Sequence, residues 1–494
     1  MYYDEVHQAP ASFFYIGEHP ALFVYPVFGI PALNMPYSGA IKSAVYGAYL
    51  RLFGAHFTVF SWRLLGPLFV SVGLLCFYRF AAVQLPIASC LVFLALFLTD
   101  TSAILMTRHD WGPVALSMGF RLAFIGLWIS LENSPTPLKV AAVGTIMGIS
   151  LFEKLSAVVL LLPFLILLWS LRGRLSGVFR LGAIGFGIGS LPLILVNLAS
   201  LRRGTGFISL ADVKPVRPFN VQEAFEYARS YLELGQGAGV RDFILGESAS
   251  WTTTESVLIL ILLSLVFLGV WQRSSNSWIR LGGYFAASYF LVGIAVFMLP
   301  QVTSVHHWIL STPFQYAAVA CALAGCLERA REILRPGVLY RIALAVSATA
   351  LIAIRTPNIV GVESAFAAGK TSTQFHPDFN RVAILASGRS NQAVFVASDW
   401  GTATQIYCAA NGKAGSVYEL FWSSEPAKDT LKLMKETTKP NIYVVSTGLV
   451  PRFAAASASI LETMSSAPDW QEVPVEKEFA ELHEIKVRRF ARRR

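Results

Sequence analysis

Ten apolar runs, each close to the length needed to cross a bilayer, leave this 494-residue chain few folds to choose from. They lie near residues 64–78, 86–99, 112–131, 138–151, 155–171, 182–200, 255–271, 281–299, 309–327 and 342–354. Hydrophobic residues make up 54% of the chain and charged ones 14%, which excludes an ordinary soluble globule. An aromatic share of 13% suits two interfacial belts. The formal charge of +10 does not indicate nucleic acid, because the basic residues sit in short loops and at the extreme tail and form no stripe. Of the five cysteines, Cys76, Cys90, Cys321 and Cys326 fall in or beside apolar runs and Cys408 stands alone in the C-terminal part. Neither a disulfide framework nor a CxxC or Cys/His metal motif is expected. No cleavable signal peptide is read ahead of Asp4, so the spans themselves are expected to target the chain.

An even number of spans places the N-terminal loop and the C-terminal part on one side. Arg79, Lys139, Arg172, Arg174, Arg180, Arg273, Arg280, Arg329, Arg331, Arg335 and Arg341 occupy alternate short loops, which the positive-inside rule makes cytoplasmic. The opposite set holds Asp110, Glu153-Lys154, a long segment from about 201 to 254, and His306-His307. The expected architecture is an α-helical polytopic membrane part over residues 1–355, whose first outer loop covers 1–61. A soluble extracytoplasmic α/β domain follows over 372–494. Within it, Ala393 to Ser398 and Ile442 to Ser446 read as strands, and Lys428 to Lys435 and Phe453 to Met464 as helices, with parallel pairing.

The first loop gathers chemistry-bearing residues at the membrane edge: Asp4-Glu5, Glu18-His19-Pro20 and Lys42. Prolines at 20, 26, 31 and 36 prevent a clean span there, and apolar residues at 41, 45, 48 and 52 describe a helix lying on the membrane. These charges either serve a reaction or merely solvate a surface anchor. Asp110, in Arg108-His109-Asp110-Trp111-Gly112-Pro113, is either a site residue or a helix cap. Arg121 lies on nearly the same helical face and is expected to be paired. Glu153-Lys154 reads as an interfacial ion pair or as part of a site. His306-His307 could take a phosphate or a divalent ion. Asp399-Trp400-Gly401 is either a ligand contact or a strand-to-helix turn.

Taken in order, Tyr25-Pro26-Val27-Phe28-Gly29-Ile30-Pro31, Met35-Pro36-Tyr37-Ser38-Gly39-Ala40-Ile41-Lys42, Asp110-Trp111-Gly112-Pro113, Phe152-Glu153-Lys154, His306-His307-Trp308 and Asp399-Trp400-Gly401 resemble bacterial membrane glycosyltransferases of family 39. The resemblance covers most of the chain. It implies the GT-C fold of protein O-mannosyltransferases and lipid A aminoarabinose transferase. The implied activity is sugar transfer from a polyprenyl-phosphate donor to a lipid, polysaccharide or protein acceptor at the outer face of the cytoplasmic membrane. The catalytic carboxylate then maps onto Asp4 and Glu5, a second acidic residue onto Asp110, and the donor-phosphate lysine onto Lys42. Lys154, His306 and His307 join it as candidate phosphate-binding residues. Some relatives bind a divalent metal, for which His307 or Glu18 is a candidate ligand without a motif to secure it. The family also places a membrane helix before the acidic pair, so an in-frame apolar run of about 20 residues is expected upstream of Met1.

The physical logic stands beside the resemblance. An acceptor hydroxyl needs a carboxylate base, here Asp4 with Glu5 as neighbour, and the departing lipid phosphate needs a cation, here Lys42. A direct displacement with one base inverts the anomeric centre. A secondary transporter or flippase would instead gather polar groups near mid-membrane, and a non-catalytic scaffold leaves the acid-and-lysine loop unexplained. Cysteine-accessibility labelling checks the topology: position 174 should resist labelling from outside intact cells, whereas 306 and positions beyond 372 should react.

Overall fold

The computed structural model describes residues 3–18, 24–110, 113–210, 220–273, 275–299, 305–328, 335–413, 415, 417–448 and 453–493. The side chains of Tyr3, Asp4, Leu210, Arg273, Arg335, Pro336 and Gly337 lie outside this description, as do His19, Trp111 and Gly112 entirely. The chain opens with α1 (Tyr3–Val6) and a 3-10 stretch (Ala9–Ile16). An antiparallel sheet of β1 (Tyr25–Val27), β2 (Ile30–Met35) and β3 (Ser38–Gly39) leads into α2 (Ile41–Phe53). The bundle follows as α3 (Val59–Ala81), α4 (Ile87–Leu98), α5 (Thr101–His109), α6 (Val114–Asn133), α7 (Pro137–Glu153), α8 (Leu161–Leu171) and α9 (Val178–Arg202). It continues with α10 (Val221–Leu232), α11 (Val240–Leu245), α12 (Thr252–Arg273), α13 (Ser277–Phe297), α14 (Val305–Trp308), α15 (Thr312–Glu328) and α16 (Arg335–Ala367).

The ten expected runs overlap helices, with ends that differ by a few residues. Among the described residues, seven helices are long and apolar enough to cross a membrane: α3, α6, α9, α12, α13, α14–α15 and α16. The pair α4–α5, bent by 65°, adds an eighth if it is one span. The run at 155–171 is split, a 3-10 turn over Leu155–Leu160 preceding α8.

Close approach of backbones holds the bundle together, because apolar helices in lipid gain little from hydrophobic burial against one another. Along α7 and α9, Gly148 faces Gly189, Gly144 faces Gly182, and Gly185 faces Ala141. A Cβ on Gly189 would meet the Thr145 carbonyl oxygen and stand 2.8 Å from Ile149 N. Gly73 and Gly119 do the same for α3 and α6, where a Cβ on Gly73 would lie 2.5 Å from Gly119 Cα. Buried charge supplies the second restraint. Arg355 and Glu255, both at 0% exposure, pair with Nε 2.7 Å from Oε1. Arg355 also donates to Tyr316 Oη at 3.1 Å, and Tyr316 donates to Asp100 at 2.5 Å. The network ties the α4–α5 bend to α12, α15 and α16. At the other end of α6, Glu132 stands 3.3 Å from both Arg174 and Arg280, so two of the arginine-bearing loops expected on one side do meet.

The C-terminal domain comprises α17 (Asp378–Ser387), β4 (Ala393–Ala397), α18 (Ala403–Ala409), β5 (Val417–Glu419), α19 (Pro426–Glu436), β6 (Asn441–Thr447), α20 (Ala454–Ser466), β7 (Trp470–Val473), α21 (Lys477–Ala480) and β8 (Ile485–Arg492). Its sheet runs β5-β4-β6-β8-β7. The expected parallel pairing holds for β4 with β5 and β6, but β8 pairs antiparallel with β6 and β7. The basic tail is therefore a sheet strand. Arg488 pairs with Glu472, and Arg492 lies 5.3 Å over the Trp470 ring. The first loop docks on this domain: Phe13 meets Tyr407 edge-on at 5.5 Å, and Phe57 N–H donates to Asn411 Oδ1 at 3.1 Å.

The glycine seam makes a direct prediction. Gly189→Leu should lower the thermal midpoint in detergent by an amount matching overpacking, about 1–3 kcal/mol or more. Gly187→Ala on the same helix meets no atom within 4 Å and should leave the midpoint unchanged or raise it.

Candidate functional site

The first loop owes its shape to a few local devices. Its hairpin turns at Phe28-Gly29, with φ of 50° and 79°, which suits the twist of the flanking strands. Helix α2 then turns Val45, Ala48, Tyr49 and Leu52 outward and Lys42, Ser43, Tyr46 and Leu50 inward, as a helix lying on lipid should. It stops at Gly54, whose φ of 57° is the left-handed cap conformation. At its other end the N-cap, Ala40, offers no capping side chain. Glu153, the last residue of α7, supplies one from 112 positions away: its Oε2 accepts the Ile41 N–H at 3.2 Å. A carboxylate there satisfies an orphan donor and faces the positive end of the helix dipole. Gly39 permits the approach, because a Cβ there would stand 2.6 Å from Glu153 Oε2. Next to it, Ser38 forms a β-bridge with Lys154, and Leu155 N–H donates to Tyr37 O at 3.0 Å.

Lys42 points inward from this capped turn and is fully buried. Its ammonium pairs with Asp110 Oδ2 and sits 4.0 Å over the Trp62 ring. Asp110 closes α5 at a φ of 45°, and its Oδ1 accepts Ala115 N–H at 2.7 Å. It therefore acts as a helix partner and as a counter-ion at once. Glu5 is likewise buried and forms an ion pair with Arg63, whose Nη2 lies 2.9 Å from Oε2. Trp62 Nε1–H donates to the Glu5 carbonyl at 2.7 Å. Burial pushes the Glu5 carboxyl up, but Arg63 more than offsets this and holds it below the ordinary carboxylate range. Glu5 is therefore ionised at neutral pH.

A second group gathers beside Lys154. His306 and His307 stand with ring centroids 3.9 Å apart, and His306 lies within electrostatic reach of Lys154 and His7. The structure thus brings Lys42, Asp110 and Glu153 into one cluster, adjoined through Glu153-Lys154 by the histidines. Glu153 turns its second oxygen, Oε1, into the interior with no hydrogen-bond partner among the described residues. The Asp4 side chain lies outside the described residues, although α1 itself is in place. Sequence reasoning missed Trp62, Arg63 and His7. The Trp62-Arg63 pair at the start of the first span was a legible signal, because an arginine entering a membrane calls for an acidic partner.

Arg121 and Asp399 are fastened within the fold. Arg121 is paired as expected, though with oxygens of Ser117 (3.0 Å to the carbonyl and 3.1 Å to Oγ) and the Ile309 carbonyl at 3.4 Å, not with a carboxylate. Asp399 binds Trp400 N–H at 2.8 Å and Thr447 Oγ1 at 2.9 Å, which fits the turn reading. Among the described residues no three His, Cys, Asp or Glu side chains stand close enough to hold a metal ion. Glu18 lies against Gly412 and His307 beside His306, so neither candidate ligand is part of such a set.

The Lys42–Asp110 pair can be tested by a double-mutant cycle. Asp110→Asn leaves a buried ammonium without its counter-ion and should cost about 3–5 kcal/mol of stability. Lys42→Met combined with Asp110→Asn should recover more than half of that loss in thermal or denaturant unfolding.

No protein-family model and no curated protein sequence matches the chain. Two solved structures of ArnT from Cupriavidus metallidurans do. The apo form superposes with a TM-score of 0.56 and the form bound to undecaprenyl phosphate with 0.52. Each is 11% identical and covers 99% of this chain and 93% of its own. At that identity the likeness bears on architecture, and it extends through both the helical bundle and the C-terminal sheet. The chain has the GT-C fold.

Proposed function

We propose that this protein is a glycosyltransferase of the cytoplasmic membrane that moves a sugar from a polyprenyl-phosphate donor to an acceptor at the outer face. The observation that carries this reading is the convergence of Lys42, Asp110, Glu5 and Glu153 with Lys154, His306 and His307 at one end of a GT-C bundle. One of the similar ArnT structures is bound to undecaprenyl phosphate, which supports a lipid phosphate as the donor's anchor.

In this reading Asp4 takes the proton of the acceptor hydroxyl as the oxygen attacks the anomeric carbon, and the configuration inverts. Glu5, held by Arg63, orients its neighbour. The lipid phosphate leaves carrying the bonding electron pair, and Lys42, Lys154, His306 and His307 stabilise its charge where water is scarce. Asp110 holds the ammonium of Lys42 ready for a phosphate oxygen. The exposed apolar face of α2 and the outer surface of the bundle face membrane lipid, where the donor tail also lies. The acceptor is a lipid, a polysaccharide or a protein, and the C-terminal domain stands on the acceptor side.

The test is sugar transfer in detergent from a labelled polyprenyl-phosphate donor. Asp4→Asn should retain donor binding and lose turnover by about 10²–10⁴-fold. Lys42→Ala should weaken donor affinity as well as rate, since its charge meets a phosphate already present in the ground state. Near-normal turnover in both Asp4→Asn and Glu5→Gln would defeat the assignment of the base. Absence of transfer and of donor hydrolysis by the unmodified protein would defeat the function itself.

A further inference from the structure

Helix α2 carries exposed side chains of two kinds, and their order around its axis sets how deep each lies at a membrane surface. Val45, Tyr49, Leu52 and Phe53 are exposed apolar residues, the last two at 78% and 74%. Phe60, at the start of the span α3, continues that surface. Such a face suits lipid. Arg51 is exposed as well, but it stands about 100° around the helix from Leu52 and about 180° from the buried Lys42. A helix lying on a bilayer holds a flank of that kind at the level of the headgroups.

An open groove of about 690 Å³ runs beside this flank. Three parts of the chain wall it: the end of the 3-10 stretch at Tyr15, the end of α2 with Arg51 and His56, and Asn411 from the loop after α18. Tyr15 lays its ring over α2 at Gly47, where a Cβ would meet it. Asn411 stands in the left-handed region at a φ of 53°, and its Oδ1 accepts the Phe57 N–H at 3.1 Å. Its amide hydrogens remain as donors.

The polar lining is one-sided. Arg51, Asn411 and the His56 imidazole all donate hydrogen bonds, and among the described residues no Asp or Glu lines the groove. Neither Arg51 nor His56 makes a hydrogen bond or an ion pair among the described residues. Glu18 stands against Gly412, next to Asn411, without joining the lining. Arg51 also faces the negative end of the α2 dipole, but a full positive charge exceeds the roughly half charge there.

We propose that this groove seats the headgroup of an anionic phospholipid, with Arg51 and His56 on the phosphate, Asn411 on a neighbouring ester oxygen, and the acyl chains along Leu52 and Phe53. A phosphate diester matches the fork of a guanidinium. A purely apolar occupant would leave the cation unmet, and a soluble anion would make no use of the adjoining apolar face. The site is separate from Lys42, which lies on the opposite side of α2 and about 13 Å along its axis. Because Arg51 belongs to the first loop and Asn411 to the C-terminal domain, one bound lipid fastens both to the membrane surface.

The experiment titrates the full chain in detergent with short-chain phosphatidylglycerol, short-chain phosphatidylcholine or inorganic phosphate and follows the thermal midpoint. Phosphatidylglycerol should raise the midpoint saturably, as a ligand of the folded state does. Phosphatidylcholine and phosphate at equal concentration should not. Arg51→Gln should raise the half-saturating phosphatidylglycerol concentration about fivefold or more, the effect of one arginine charge at a membrane surface. His56→Gln should raise it in the same direction, and Arg51→Lys should recover part of the loss. Both side chains are exposed and unpaired, so the midpoints without lipid should match that of the unmodified protein. No saturable response, or a response indifferent to both Arg51→Gln and His56→Gln, overturns the proposal. An equal response to phosphatidylcholine does so too, and an equal response to inorganic phosphate would reduce the groove to a simple anion site.

Discussion

A lysine and an aspartate sealed away from water are tolerable only together, and the site is organised around that constraint. Lys42 and Asp110 come from elements 68 positions apart, and their pairing fixes the membrane-surface helix against the junction of α5 and α6. Removing either charge strands the other in a medium where an isolated ion is costly. Trp62 covers the ammonium with its ring, and Ala115 N–H occupies the second oxygen of Asp110, so neither ion relies on solvent. In the proposed reaction a phosphate arriving at Lys42 would meet a cation already desolvated and aimed, the condition under which a charge contributes most to a developing anion.

Glu153 extends this logic to the backbone. It caps α2 from another helix, and so the turn that carries Lys42 is positioned by α7. Helix α7 is in turn locked to α9 by glycines whose backbones touch. The chain of dependence runs from a seam of small residues in the bundle, through one carboxylate, to the direction of one ammonium. On the other flank, Arg355, Glu255, Tyr316 and Asp100 hold the bend between α4 and α5, and α5 leads directly to Asp110. Acidic residues are therefore present in the membrane part, but they sit at helix ends and bends and are paired.

Much of this was legible in the residues. Apolar runs announce helices because a segment in hydrocarbon must satisfy its own hydrogen bonds. The proline-rich loop and the outward stripe at 45, 48 and 52 announced a surface helix, and the strands around 394 and 443 were visible as apolar β-branched stretches. What escaped was of another kind. Strand β8 is written with arginines, and only its neighbours Glu472, Tyr443 and Trp470 explain how those side chains lie across a sheet. The bend between α4 and α5 falls at Thr99-Asp100, where Asp100 caps α5 by accepting the Ala103 N–H at 2.8 Å; the apolar run ends there, and how far the next helix turns away from it is set by packing.

The sequence by itself determined that the chain would enter a membrane as helices and carry an α/β domain after them. It also determined that acids and a lysine would gather in the first loop. Those properties follow from local composition and period, which act within one segment at a time. Only the tertiary structure decided that Lys42 would face Asp110, that Glu5 would be held by Arg63, and that Glu153 would cap a helix 112 positions away. Pairings of that kind depend on where distant helices pack, and that is set by the fit of glycine seams and buried ions across the whole bundle.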